Sequence, residues 1–174
     1  MVTTIVIPQD GGGAPRVQEL AGASDFQEVT GGWLEPIEIG TLGITVWVNE
    51  AAPREHGVMN ARATALYWHY SLGLEFPRLL LGDVVITGSD DGENGMDAPE
   101  HLIHGLLATH HYVVQVSPDD DDNWNDTFAR FENIYDAALW CMLFARSFQQ
   151  GSAFRVLVQT PSDVEHLMQE DGSW

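Results

Sequence analysis

Two periods of apolar residues alternate along this chain, and each marks a different element. The β-branched run Val2 to Ile7 predicts a strand closed by Pro8, and Gly11, Gly12 and Gly13 form a turn into a short strand near Arg16 to Leu20. Ser24 with Gln27 three residues on supplies an N-cap signal and Gly31-Gly32 a stop, which predicts a short helix over about Asp25 to Thr30. Leu34 to Ile39 and Ile44 to Asn49 read as a hairpin turning around Gly40 to Gly43. In its second strand Ile44, Val46 and Val48 alternate with Thr45, Trp47 and Asn49, a two-faced pattern that puts Trp47 opposite the valines, under a helix or at a partner surface.

From Asn60 to Ser71 the period becomes helical, with Ala61, Ala65, Trp68 and Leu72 along one side and Gly73 beyond. Leu79 to Thr87 returns as a strand, Asp90 to Asp97 is an acidic loop, Pro99 opens a helix to about Leu107, and His111 to Val116 reads as a strand. Between Asp126 and Gln150, Phe128, Phe131, Tyr135, Ala138, Met142 and Ala145 recur at three-and-four spacing, which predicts the longest helix. Because Ala137 to Ala145 is apolar nearly all round, that helix is expected to be buried on more than one side. Phe154 to Gln159 is the last expected strand, and Ser162 caps a short helix through Met168, with Glu165 in the capping-box position. Parallel pairing of the strands flanking the long helix would give a right-handed crossover.

These elements predict an α+β or mixed α/β fold with a single core: one mixed sheet of about six to seven strands, one long buried helix and several short helices. The best candidate break, Ser89 to Asp97, separates an α+β region over 1–95 from a helix-strand-long helix-strand-short helix region over 96–174, expected to pack on the same core. With 174 residues and 44% apolar content there is enough material for such a core without disulfides. The single cysteine, Cys141, lies in an apolar run and reads as a buried structural thiol.

Charge changes the picture more than composition does. The chain holds 26 acidic residues against 7 basic ones, all arginine, for a net charge of -19. Such a surface repels nucleic acid and anionic membranes, so neither is expected as a direct partner. The N-terminal stretch has neither a basic region nor a long apolar run, which predicts a cytoplasmic protein without signal peptide or span.

Catalytic and metal signatures are weak. The three glycines at 11–13 lack the lysine and spacing of a phosphate loop. His101, His104, His110 and His111 could approach a metal, but they do not form the H-E-x-x-H pattern of zinc hydrolases. Asp90, Asp91, Glu93, Asn94 and Asp97 offer oxygen ligands without the EF-hand spacing, so a solvated loop is the better reading. No G-x-S-x-G elbow occurs. No catalytic residue, metal or cofactor is assigned, and the chain reads as acting by binding.

Three segments carry a family resemblance: the strand Thr45-Val-Trp-Val-Asn-Glu50, the helix start Asn60-Ala-Arg-Ala-Thr-Ala65, and Gly82-Asp-Val-Val-Ile-Thr-Gly88. In order and spacing they resemble a family of phage, plasmid and actinobacterial proteins known as domain of unknown function 3846, over about residues 1 to 95. The resemblance implies a mobile-element origin, a setting in which inhibitors of host machinery and defence systems are common. It carries no catalytic residues.

Within this frame the acidity has a sharper reading. Residues 83 to 136 contain 13 acids and one base, Arg130, a net of -12. Asp90, Asp91, Glu93, Asp97, Asp119, Asp120, Asp121, Asp122 and Asp126 are the candidate partner-binding residues, imitating phosphates in the groove of a host protein with a basic surface. The plain alternative is a solvated face whose aspartates favour a helix N-terminus, in a structural or accessory protein. A third reading is a small-molecule, nucleotide-like binder with a pocket of Trp33, Trp47, Trp68 and Tyr70, approached by Arg54, Arg62 and Arg78.

Overall fold

The computed structural model describes residues 1–10, 13–54, 57–71, 78–89, 95–108, 110–118, 123–144 and 152–158. Its first elements follow the sequence pattern closely. They are β1 (Val2–Ile7), β2 (Arg16–Leu20), α1 (Ala23–Thr30), β3 (Leu34–Ile39), β4 (Ile44–Asn49), α2 (Ala61–Tyr70), β5 (Val84–Gly88) and α3 (Glu100–Leu107). The five strands form one antiparallel sheet in the order β2-β1-β5-β4-β3.

All six residues of β4 are buried, so both faces of this strand are covered. Trp47 and Val6 both pair with Val85, which places the three side chains in a row across the sheet. Phe26 of α1 closes over that row, its ring 5.7 Å from the Trp47 ring, and Leu20 completes the cluster. The tryptophan therefore lies under a helix, one of the two placements its alternation allowed. Its Nε1 donates to Thr87 Oγ1 at 2.9 Å, so the indole is buried with its polar atom satisfied.

Two boundaries differ from the sequence pattern for local reasons. Helix α1 is capped by Gly22 without a side-chain bond; Ser24 is already helical, and Asp25 instead accepts from the backbone N–H of Ala21 at 2.7 Å. Strand β5 begins at Val84, not Leu79, because Leu79 to Gly82 runs beside the segment that enters α2. There Asn60 N donates to Leu80 O, Met59 bridges Leu81, and Gly82 turns the chain at a φ of 77.

The chain divides into two compact units, Met1–Leu107 and Ala108–Trp174, so Ser89 to Asp97 lies inside the first. The second unit contains β6 (Tyr112–Ser117), β7 (Asn125–Phe131), α4 (Ile134–Phe144) and β8 (Ala153–Val158). Its three-stranded sheet has the order β7-β6-β8, again antiparallel throughout. The protein is thus α+β with separate sheets of five and three strands, in place of one mixed sheet of six to seven.

The long helix expected from Asp126 is the main correction. Residues Asn125 to Phe131 form an edge strand, and the helix starts only after Asn133, whose side chain accepts from Asp136 N at 2.9 Å. The three-residue spacing of Phe128 and Phe131 matches a helical stripe, yet both lie on this bulged strand. Helix α4 is apolar nearly all round yet buries one face, with Ile134, Tyr135, Ala137, Ala138 and Cys141 covered while Leu143 and Phe144 are exposed. Positions 145 to 150 of the expected helix, Gln159, and the expected 162–168 helix lie outside the described residues.

The extra strand also changes the connection. Strands β6 and β8 pair antiparallel, with Val114 opposite Val156, so no parallel crossover joins them. Strands β7 and β8 run the same way on either side of β6, and α4 links them.

Candidate functional site

The polar residues of the three sequence motifs serve the fold. Asn60, 1% exposed, caps α2 by accepting from Ala63 N at 3.0 Å. Its Nδ2 donates to Ile7 O at 2.9 Å and Gly82 O at 3.0 Å, joining helix, strand and turn through one amide. Arg62 donates to Gly13 O. Asn49 accepts from Ala51 N at 2.8 Å and donates to Gly31 O at 3.3 Å, and its amide packs so tightly on Gly32 that a Cβ there would lie 2.4 Å from it. Asp83 accepts from Gln9 N at 2.8 Å.

Among the candidate partner-binding acids, Asp97 is exposed and its Oδ1 accepts from Thr3 N at 2.7 Å, fastening the start of β1. Gly88 N donates to Met96 O at 2.8 Å, and this bridge brings together the two ends of the acidic loop. Asp126, in the second unit, is held by both guanidinium nitrogens of Arg130, at 2.9 and 2.7 Å, and by Phe128 N at 2.6 Å. The Arg130 hydrogen bonds hold its carboxyl below the usual carboxylate range. Asp90, Asp91, Glu93, Asp119, Asp120, Asp121 and Asp122 lie outside the described residues.

The surroundings of Asp126 form a bulge that sequence reasoning missed. Opposite Val113 and Gln115 of β6 stand Arg130 and Asp126, so Thr127, Phe128 and Ala129 face a single residue, Val114. Thr127 Oγ1 donates to Val114 O at 2.7 Å and accepts from Ala129 N at 3.3 Å. Helical spacing of the aromatics hid this strand, and the only signal available was the pair of Asp126 and Thr127, short polar side chains suited to local backbone bonds.

The candidate pocket aromatics have separate roles. Trp33 is exposed, Trp47 belongs to the core, Trp68 Nε1 donates to Arg78 O at 2.9 Å, and Tyr70 is half-buried with its ring edge-on to His69 at 4.9 Å. Burial lowers the His69 pKa and raises that of Tyr70. Arg54 is exposed, and Arg78 forms a two-bond ion pair with Glu35 at 2.6 and 2.9 Å. Among the described residues no three His, Cys, Asp or Glu side chains are grouped to hold a metal ion. Burial pushes the Cys141 thiol up to about 12, so the neutral form prevails. Among the described residues no helix is long and apolar enough to cross a membrane.

The Glu35–Arg78 pair sets a pH dependence. Hydrogen bonding from Arg78 holds Glu35 below its ordinary value of 4.5. Its stabilisation is therefore fully present above that value and is lost as pH falls through the depressed folded one. The stability difference between wild type and Glu35→Gln, measured by urea unfolding, is expected to shrink steadily from pH 6 to pH 3. A difference that stays constant or grows on acidification would show that the pair contributes nothing through charge. Both side chains are more than a third exposed, so the effect is small.

Comparison with known families bears on the motif residues. The sequence model of the family described as Domain of unknown function (DUF3846) matches residues 2–111. The chain belongs to that family. The match to DUF3846 takes in all of β1 to α3. No curated protein and no solved structure matches the chain. Within the DUF3846 region Asn49, Asn60, Arg62 and Asp83 all bond backbone groups.

Proposed function

We propose that this chain is an acidic binding protein of a phage or plasmid that inhibits a host nucleic-acid-binding or defence protein. It presents carboxylates where that protein would meet nucleic-acid phosphates. The observation that supports this reading is the concentration of charge: 13 acids against Arg130 alone between residues 83 and 136. A field of that sign draws in a basic groove and repels nucleic acid itself.

The hydrogen bonds narrow which acids carry the reading. The carboxylates of Asp83, Asp97, Asp126 and Asp136 each accept a hydrogen bond within the chain, and Asp126 also neutralises Arg130. Of the other acids in this stretch Glu100 and Glu132 are exposed, and the densest runs in the sequence are Asp90, Asp91 and Glu93 and Asp119 to Asp122. Changing Asp119, Asp120, Asp121 and Asp122 together to Asn is expected to leave the fold intact and weaken partner binding roughly 10- to 100-fold, at about 0.3–0.7 kcal/mol per rim charge. It should also flatten the dependence of binding on salt, and DNA should compete with the protein for its partner. Titration calorimetry across a salt series reads both effects. Unchanged affinity and salt slope in this variant and in one lacking Asp90, Asp91 and Glu93 would leave mimicry without a site.

A further inference from the structure

Phe128 combines two features that folding alone disfavours. The residue is 83% exposed, and its φ of 61 puts a bulky side chain in the left-handed region that glycine enters freely. Among the described residues it is the only non-glycine one at positive φ. The bonds of Thr127 to Val114, of Phe128 N to Asp126 and of Arg130 to Asp126 hold the bulge in this state from both sides. A bulge re-aims a side chain, and here it aims an aromatic ring into solvent from an edge strand.

Strain kept in place by a built network points to use, and aromatic residues, phenylalanine among them, are enriched at the buried core of protein interfaces. The occupant follows from charge. A second copy of this chain carries the same -19, and an anionic lipid surface has the same sign, so both are repelled on approach. A positively charged protein is attracted. We propose that Phe128 is the apolar anchor by which this chain docks into a hydrophobic pocket of a basic partner protein, with carboxylates steering the encounter and the ring supplying short-range affinity. The inference deepens the inhibitor reading and rests on it for the sign of the partner.

The test uses the full chain and, as probe, a heparin-retained protein fraction of a cell lysate, which selects basic nucleic-acid-binding proteins. A photo-crosslinking benzoylphenylalanine is placed at position 128 and, as a control, at the exposed Val58 of the first unit. The expected result is a discrete crosslink from position 128 only. The Phe128→Gly variant should bind the crosslinked protein roughly tenfold or more weaker with an unchanged salt slope. It should also melt no lower than wild type, since glycine relieves the backbone. A lower melting temperature, a crosslink only to a second copy or none at all, or unaltered affinity would overturn the proposal. The two readings fail separately. A partner lost on Phe128→Gly but not displaced by DNA keeps the anchor and removes mimicry, whereas one displaced by DNA but indifferent to Phe128→Gly does the reverse.

Discussion

Asn60→Ala is expected to destabilise the first unit by about 3 kcal/mol, the sum of a lost helix cap and of one buried and one part-buried carbonyl deprived of a donor. The side chain caps Ala63 N and its Nδ2 reaches Ile7 O and Gly82 O, in a site where the residue is 1% exposed. Two further variants separate these contributions. Asn60→Ser keeps a capping oxygen and should recover only about 1 kcal/mol of the loss. Asn60→Asp is an equally good cap on an exposed helix, yet here it would turn an oxygen toward Ile7 O and Gly82 O, so it should be at least as damaging as Ala. Urea unfolding followed by circular dichroism measures all three. An Asn60→Asp variant as stable as wild type would show that capping, not the two carbonyl bonds, is what this position provides.

Trp47→Ala should cost about 4 kcal/mol, in the range for emptying a large aromatic from a packed core. Its indole lies among Val6, Leu20, Phe26 and Val85 at 7% exposure, so its removal unpacks α1 from the sheet as well as leaving a cavity. Trp47→Phe keeps the ring against Phe26 and removes only part of the volume and the bond to Thr87 Oγ1. About 1–2 kcal/mol is expected for it. Thermal and urea unfolding of the pair give the comparison. A loss for Trp47→Ala no larger than that for Trp47→Phe would mean that the site collapses around the smaller side chain and that the cluster is not close-packed.

Legibility tracked how local the deciding interactions are. The β3–β4 hairpin is readable because Ile44 to Asn49 alternates cleanly and Gly40 and Gly43 flank the turn, and its observed bounds coincide with the expected ones. Helix α2 is readable because Asn60 caps it and the break after Tyr70 is close at hand. At Asp126 to Gln150 the same method failed. Phe128, Phe131 and Tyr135 satisfy a helical period, but β6 needs a partner strand on this side, and pairing with Tyr112 to Val116 outweighs the local pattern. The candidate acids were legible only as composition, since whether Asp97 or Asp126 is free for a partner depends on Thr3 N and Arg130 reaching them.

By itself the sequence determined the charge, the mixture of helices and strands, the family and most element boundaries of the first unit, because these depend on residue identity and on interactions a few positions apart. Only the tertiary structure decided that the strands divide into sheets of five and three, that Asn49, Asn60 and Arg62 serve backbone groups far away in sequence, and that Phe128 stands outward on a strained bulge. Strand pairing and buried hydrogen bonds join residues tens of positions apart, and the free energy that selects among them arises only once those residues meet.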